Sequence, residues 1–245
     1  QVVLIRHGES TWNRDNIFTG WVDSPLSDTG EEQARQAGRL MALLGFKRFD
    51  RIYVSRLERT VRTAQLIMEQ LEAGWDPSLL VPSWRLNERM YGAFTGQNKV
   101  AVAKQLGESA FHRAVIDPPP VDTASPFYPG NDPLYADVDP AYLPLKESFD
   151  DCMRRVRVAW DELIWPDARD RGLSVLVVSS KNALRSLQMH LYGLDPVNVD
   201  VPNAVPLIYE PGSKGLRMHA RDGGSYEYAL HAGKRARQAT HGVDA

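Results

Sequence analysis

The 245-residue sequence predicts an α/β fold, a three-layer sandwich with a mostly parallel central sheet and helices on both faces. Two observations predict it. Short apolar runs rich in β-branched residues occur at 2–5 and at 173–178, as in strands buried on both faces. Between such runs lie segments with apolar residues at helical spacing, and the resulting β-α-β-α-β order implies parallel strands joined by crossovers.

The elements follow in order. Val2, Val3, Leu4 and Ile5 form the first strand. Ser27, Asp28 and Thr29 offer N-cap chemistry ahead of Glu31 and Glu32, and Ala34, Ala37, Leu40 and Leu44 continue at helical spacing. Ile52, Tyr53 and Val54 read as a second strand. Residues 58–71 read as a helix with Val61, Ala64, Leu66, Ile67 and Leu71 on its apolar face. Leu79, Leu80 and Val81 suggest a third strand. From 98 to 144 the regular pattern dissolves, and Pro118, Pro119, Pro120, Pro126, Pro129 and Pro140 forbid continuous helix. An insertion of that length in a compact domain is commonly functional, and here it reads as a lid. A helix is expected over 147–165, a central strand over 173–178, a helix over 182–191 and a strand over 206–209. The expected organisation is one domain over 1–229 and a loosely ordered tail over 230–245, which holds Lys234, Arg235 and Arg237 without periodicity.

Composition bounds the function. The formal net charge of −2 excludes a globally basic, nucleic-acid-coating protein, so anion binding must come from a local cluster of Arg and Lys. No run approaches the ~18 apolar residues of a membrane span. The single cysteine, Cys152, excludes an intrachain disulfide and a cysteine-based zinc site. It falls in a helical pattern as a half-buried small side chain, and a reducing, cytoplasmic setting is expected.

Chemistry concentrates just after the first strand, at Arg6, His7, Gly8, Glu9 and Ser10. Open α/β sheets bind ligands beyond the carboxyl ends of their strands. There a neutral imidazole can attack phosphorus, a guanidinium can neutralise phosphoryl oxygens, and a glycine can let an anion approach the backbone. An isolated triplet of this kind is weak evidence, because a strand-end histidine is as easily satisfied by its neighbours.

Longer segments add to it. RHGESTWN at 6–13, NIFTGWVD at 16–23, SRLERTVRTAQ at 55–65, LNERMYGAFTGQNK at 86–99, HRAVIDPPP leading to SPF, and VPNAVPLIYE at 201–210 together resemble the signature of the cofactor-dependent phosphoglycerate mutases, a branch of the histidine phosphatase superfamily. The resemblance runs from residue 2 to about 210. It implies that His7 becomes phosphohistidine, that Arg6 and Arg59 hold the phosphoryl group as permanently charged donors, and that Glu88 acts as general acid and base. It further implies that Ser10, Asn13, Thr19, Gly20 and Asn182 line the substrate pocket, and that Tyr91, Lys99 and Arg113 bind the substrate's phosphate and carboxylate from the lid side. For Lys99 and Arg113, solvated surface charge is a serious competing explanation. The implied cofactor is 2,3-bisphosphoglycerate, with no metal. The implied partner is a small phosphorylated metabolite, with neither nucleic acid nor membrane. Relatives in that family are often dimers or tetramers.

The family ends its central strand on an alanine-histidine-glycine-asparagine run, and that histidine faces the first across the phosphate. Here Ser180 stands at the histidine position and Lys181 at the glycine position, with Asn182, Leu184 and Arg185 aligned without a gap. The chain has six histidines, and none replaces it. His190 lies ten positions along the next helix, roughly 15 Å too far at 1.5 Å per residue. Met90, Ala183, His112 and the pair Asn203 and Ala204 also depart from the family pattern, and the set is expected to collect around the phosphate pocket. The sequence therefore predicts a phosphoglycerate mutase-like protein with impaired catalysis. A fully active mutase and a histidine phosphatase acting on another ester are the alternatives.

Overall fold

The computed structural model describes residues 1–209, 217–219 and 225–227. The expected tail at 230–245 lies outside them. The strands are β1 (Val2–Arg6), β2 (Arg51–Val54), β3 (Leu80–Pro82), β4 (Val175–Ser179), β5 (Leu207–Tyr209), β6 (Arg217–His219) and β7 (Ser225–Glu227). They form one sheet in the order β3-β2-β4-β1-β5-β6-β7. β3, β2, β4 and β1 run parallel, while β5 pairs antiparallel with β1 through Val3 and Ile208. All five residues of β4 are buried, and this strand lies between β2 and β1, at the centre predicted for it.

Alternation along the strands builds two cores. Val3, Ile5, Ile52, Val54, Leu176 and Val178 point to one face, where α2 (Asp28–Leu43) and α3 (Glu58–Met68) cover them. Val2, Leu4, Tyr53, Val175 and Val177 point to the other, against α6 (Phe149–Ala159) and α8 (Lys181–Tyr192). Helix on sheet on helix is the three-layer arrangement. Ser27 accepts from the Gly30 amide and caps α2, as its position in the sequence implied.

Three differences from the sequence reading have local causes. The region 98–144 is less irregular than expected: α4 (Lys99–Leu106) starts at an Asn98 cap, and α5 (Glu108–Ile116) follows Gly107. Both end before Pro118, so the prolines shape only the second half, which folds as short 3₁₀ turns at 129–131, 133–135 and 140–142. The expected helix over 147–165 is α6 continued through a π-helical turn, Trp160–Ile164, into α7 (Trp165–Arg169). Cys152 is wholly buried on α6 rather than half-buried.

Among the described residues, no helix is long and apolar enough to cross a membrane.

Candidate active site

His7 follows β1 immediately, and the end of the sheet positions it. Its amide donates to the Ser179 carbonyl at 3.0 Å, and the Asn203 side-chain amide donates to its carbonyl at 2.8 Å. The ring is buried. Nδ1 lies 2.5 Å from the Gly8 carbonyl, which can only accept, so the proton sits on Nδ1 and the lone pair on Nε2. Arg59 Nε donates to that Nε2 at 3.3 Å. Burial foremost, then the guanidinium groups of Arg59 and Arg6, hold the imidazole pKa well below its ordinary value. The ring is neutral and lies against the guanidinium group of Arg59.

Gly8 has a different task from the one expected. A Cβ on it would lie 2.2 Å from the Gly30 carbonyl, so the glycine lets the loop after β1 pack on the start of α2 rather than opening the backbone to an anion. The Gly8 amide is taken by Thr63 Oγ1 at 3.1 Å.

Arg59 leaves the first turn of α3 and is fully buried. Its Nη1 and Nη2 donate to the carbonyls of Val22 and Gly20, both at 3.0 Å, which aims Nε at the histidine. Arg6 donates from Nη1 to the Val201 carbonyl at 3.1 Å, while its Nε is buried without a partner. Glu88 accepts from the Arg89 amide at 2.7 Å and from the Asn182 amide, in the first turn of α8, at 3.2 Å.

The cavity around these groups is lined by Arg6, His7, Arg59 and Glu88 on the strand side, by Asn13, Ile17 and Thr19 from the segment after β1, and by Tyr91 and Lys99 from the lid side. Lys99, the first residue of α4, carries its ammonium 5.6 Å above the Phe18 ring, and burial lowers its pKa. Four other expected pocket residues sit elsewhere. Ser10 is the buried N-cap of α1 (Thr11–Arg14), in a reciprocal pair of hydrogen bonds with Asn13. Gly20 contributes its carbonyl to Arg59. Asn182 donates to the Tyr91 hydroxyl at 2.6 Å and so braces a lining residue. Arg113 is exposed on α5, outside the lining set, because that helix turns it to solvent.

Ser180 and Lys181 occupy the junction of β4 and α8. Ser180 Oγ is wholly buried, has no hydrogen-bond partner and does not cap α8. The remaining departures do not all gather here. Met90 packs with Trp21, Val121, Tyr135 and Val138 in a separate apolar cluster, Ala183 belongs to the core, and His112 is exposed. Asn203 and Ala204 do lie beside the site, through the bonds of Asn203 to His7 and of the Ala204 amide to the Arg6 carbonyl. His190 pairs with Asp161 at 3.3 Å.

Sequence reasoning missed the groups that hold Glu88 in place. Arg155, on α6, donates to the carbonyls of Arg85 and Asn87 at 2.9 Å and of Glu88 at 2.8 Å. It also pairs with Glu147 at 2.6 Å, and the same Glu147 accepts from the Met90 amide at 2.8 Å. Arg89 is fully buried and donates to the carbonyls of Val115 and Ile116, closing the end of α5. Only the helical position of Arg155 was legible in advance, since the carbonyls it binds are 67 or more residues away in sequence.

Comparison with known proteins bears on family and fold. The family model for the Histidine phosphatase superfamily (branch 1) matches residues 2–126. A 2,3-bisphosphoglycerate-dependent phosphoglycerate mutase of Thermobifida fusca (strain YX) is 42% identical over 216 residues, covering 85% of this chain and 86% of that protein. Among solved structures, a phosphoglycerate mutase from Bacillus anthracis str. Sterne gives a TM-score of 0.60 at 23% identity, over 92% of this chain and 89% of that one. An alpha-ribazole phosphatase from Shigella flexneri gives 0.60 at 22% identity, over 90% and 96%. At such identities these two structures share the fold.

Proposed function

The chain belongs to the histidine phosphatase superfamily (branch 1), in its phosphoglycerate mutase-like family, and from that membership we propose that it binds small phosphorylated acids at His7 and interconverts 3-phosphoglycerate and 2-phosphoglycerate only slowly. The observation that carries the proposal is a contrast between the residues that line the cavity and the end of β4 beside them. His7, Arg59 and Glu88 are set for phosphoryl transfer, while Ser180 stands where the family places its second histidine.

The chemistry follows from the atoms. Nε2 of neutral His7 attacks phosphorus, Arg6 and Arg59 neutralise the phosphoryl oxygens, and the bond to the ester oxygen breaks as Glu88 gives that oxygen a proton. The return step reverses each transfer onto the other hydroxyl, with Glu88 taking the proton back. When bound, 2,3-bisphosphoglycerate supplies the phosphoryl group that primes the histidine. The donor set fits such a polyanion: Arg6, Arg59 and Lys99 face a single lining carboxylate, Glu88, and Arg6 Nε is buried without a partner.

Losing one preorganised donor to the transferring group typically costs about 10²–10³ in rate. A serine hydroxyl is a neutral and shorter substitute for an imidazolium. In a coupled assay with 3-phosphoglycerate and 2,3-bisphosphoglycerate, turnover of the double variant Ser180→His, Lys181→Gly should exceed that of the wild type by at least roughly a hundredfold. No rise would sink the proposal. The intact nucleophile and the 42% identical mutase relative favour a second reading, a fully active mutase, which vigorous turnover of the unmodified chain would establish. Release of inorganic phosphate from a different phosphate ester, in a paired assay without isomerisation, would point instead to a histidine phosphatase.

A further inference from the structure

We propose that Asn87 and Tyr135 are positioning residues, which together hold the proton-donating Glu88 in register with Arg59 and His7. The inference rests on the reading that His7 takes up a phosphoryl group while Glu88 protonates the leaving oxygen.

Arg59 and Glu88 come from separate elements, so other groups must fix one against the other. Arg59 stands in the first turn of α3, and Glu88 in the loop after β3. Asn87, the residue before Glu88, is fully buried, and both ends of its side-chain amide are bonded. Its Oδ1 accepts from the Arg56 amide at 3.1 Å, in the turn that leads into α3. Its Nδ2 donates at 2.9 Å to the hydroxyl of Tyr135, in the 3₁₀ turn at 133–135 of the long insertion. That hydroxyl in turn donates to the Trp21 carbonyl at 2.8 Å. A backbone amide can only donate, so Arg56 fixes which end of the Asn87 amide is the oxygen. Burial pushes the Tyr135 hydroxyl well above its ordinary pKa, and it stays protonated as the donor to Trp21.

Trp21 lies between Gly20 and Val22, whose carbonyls receive Nη2 and Nη1 of Arg59. Both parts of Arg59 are therefore referred to Asn87, the backbone through Arg56 and the guanidinium through Tyr135 and Trp21. From there Arg59 Nε reaches His7 Nε2 at 3.3 Å. Neither Asn87 nor Tyr135 lines the cavity, so each acts through the residues it holds. A misplacement of about 1 Å between reacting groups can cost about 10² in rate, which is the scale on which such a link matters.

Two phosphoryl donors distinguish positioning from folding. With 2,3-bisphosphoglycerate, the P–O bond breaks as the N–P bond to His7 forms, and the departing alkoxide oxygen takes a proton from Glu88. Acetyl phosphate undergoes the same exchange, but acetate leaves with the bonding pair as a stable carboxylate and needs no proton. Single-turnover labelling of the full chain, read as acid-labile phosphate, is measured with each donor, alongside isothermal titration with inorganic phosphate. Tyr135→Phe keeps the ring and removes only the hydroxyl. Asn87→Asp keeps an acceptor for Arg56 and removes the donor to Tyr135. Both variants should label about ten- to a hundredfold more slowly from 2,3-bisphosphoglycerate. Both should keep the wild-type rate from acetyl phosphate and the wild-type affinity for inorganic phosphate. Equal losses with the two donors would overturn the proposal, because they would report less folded protein or a displaced Arg59 rather than a misplaced proton donor. Unchanged rates with both donors would overturn it as well. A wild-type chain that takes phosphate from neither donor would instead sink the underlying reading of His7.

Discussion

Burial sets the state of His7 before any neighbour acts on it. An imidazolium in that position would be desolvated and would face two guanidinium groups, so the folded protein keeps the ring neutral where water would begin to protonate it. The unfolded chain takes up that proton near pH 6.5, the ordinary histidine value. The contribution of His7 to stability is therefore complete above about pH 6.5 and falls as the pH drops toward the lower folded value. Urea midpoints measured at pH 7 and pH 5 should fall further for the wild type than for His7→Gln, which has no proton to gain. Equal falls would show that the ring titrates normally.

At the scale of elements, the segment leading into β5 carries a visible strain. Ala204 is buried with φ of 51°, a left-handed conformation that costs a residue with a Cβ about 1–3 kcal/mol. Its amide donates to the Arg6 carbonyl, and the side-chain amide of its neighbour Asn203 donates to the His7 carbonyl, so the strained turn is tied to the backbone of both residues. Ala204→Gly relieves the strain and gives back part of the gain through the looser unfolded chain. The net should be about 0.5–1 kcal/mol of added stability, read as a rise in melting temperature of about 1–4 °C. A lower melting temperature would show that the alanine methyl contributes more packing than its conformation costs.

At the scale of the molecule, Arg155 ties three distant pieces together. It joins α6, the carbonyls of the strand-end loop that carries Glu88, and Glu147 at the close of the long insertion. Asn87 extends the same link outward: its amide donates to the Tyr135 hydroxyl, which donates to the Trp21 carbonyl. Arg155→Met leaves the Glu147 carboxylate buried and uncompensated, a change that typically costs about 3–5 kcal/mol. Chemical denaturation should register that loss, and pairing the change with Glu147→Gln should recover much of it. A loss below about 1 kcal/mol would place the pair among ion pairs of the exposed kind.

The sequence by itself determined the local pieces. The apolar runs marked β1 and β4, Ser27 marked the start of α2, and Arg6 and His7 stood together at a strand end, while Arg59 was singled out only through the family resemblance. These features are read from neighbours a few residues apart, where periodicity and capping act. Tertiary structure alone decided that β4 enters between β2 and β1, that β5 runs antiparallel, that Gly8 serves Gly30 rather than an anion, and that Arg113 faces solvent while Met90 packs in a separate cluster. It also supplied the Arg155 and Glu147 cradle around Glu88. Each of these depends on which distant segments meet, and strand pairing and side-chain packing between remote parts of a chain leave no periodic trace in either partner alone.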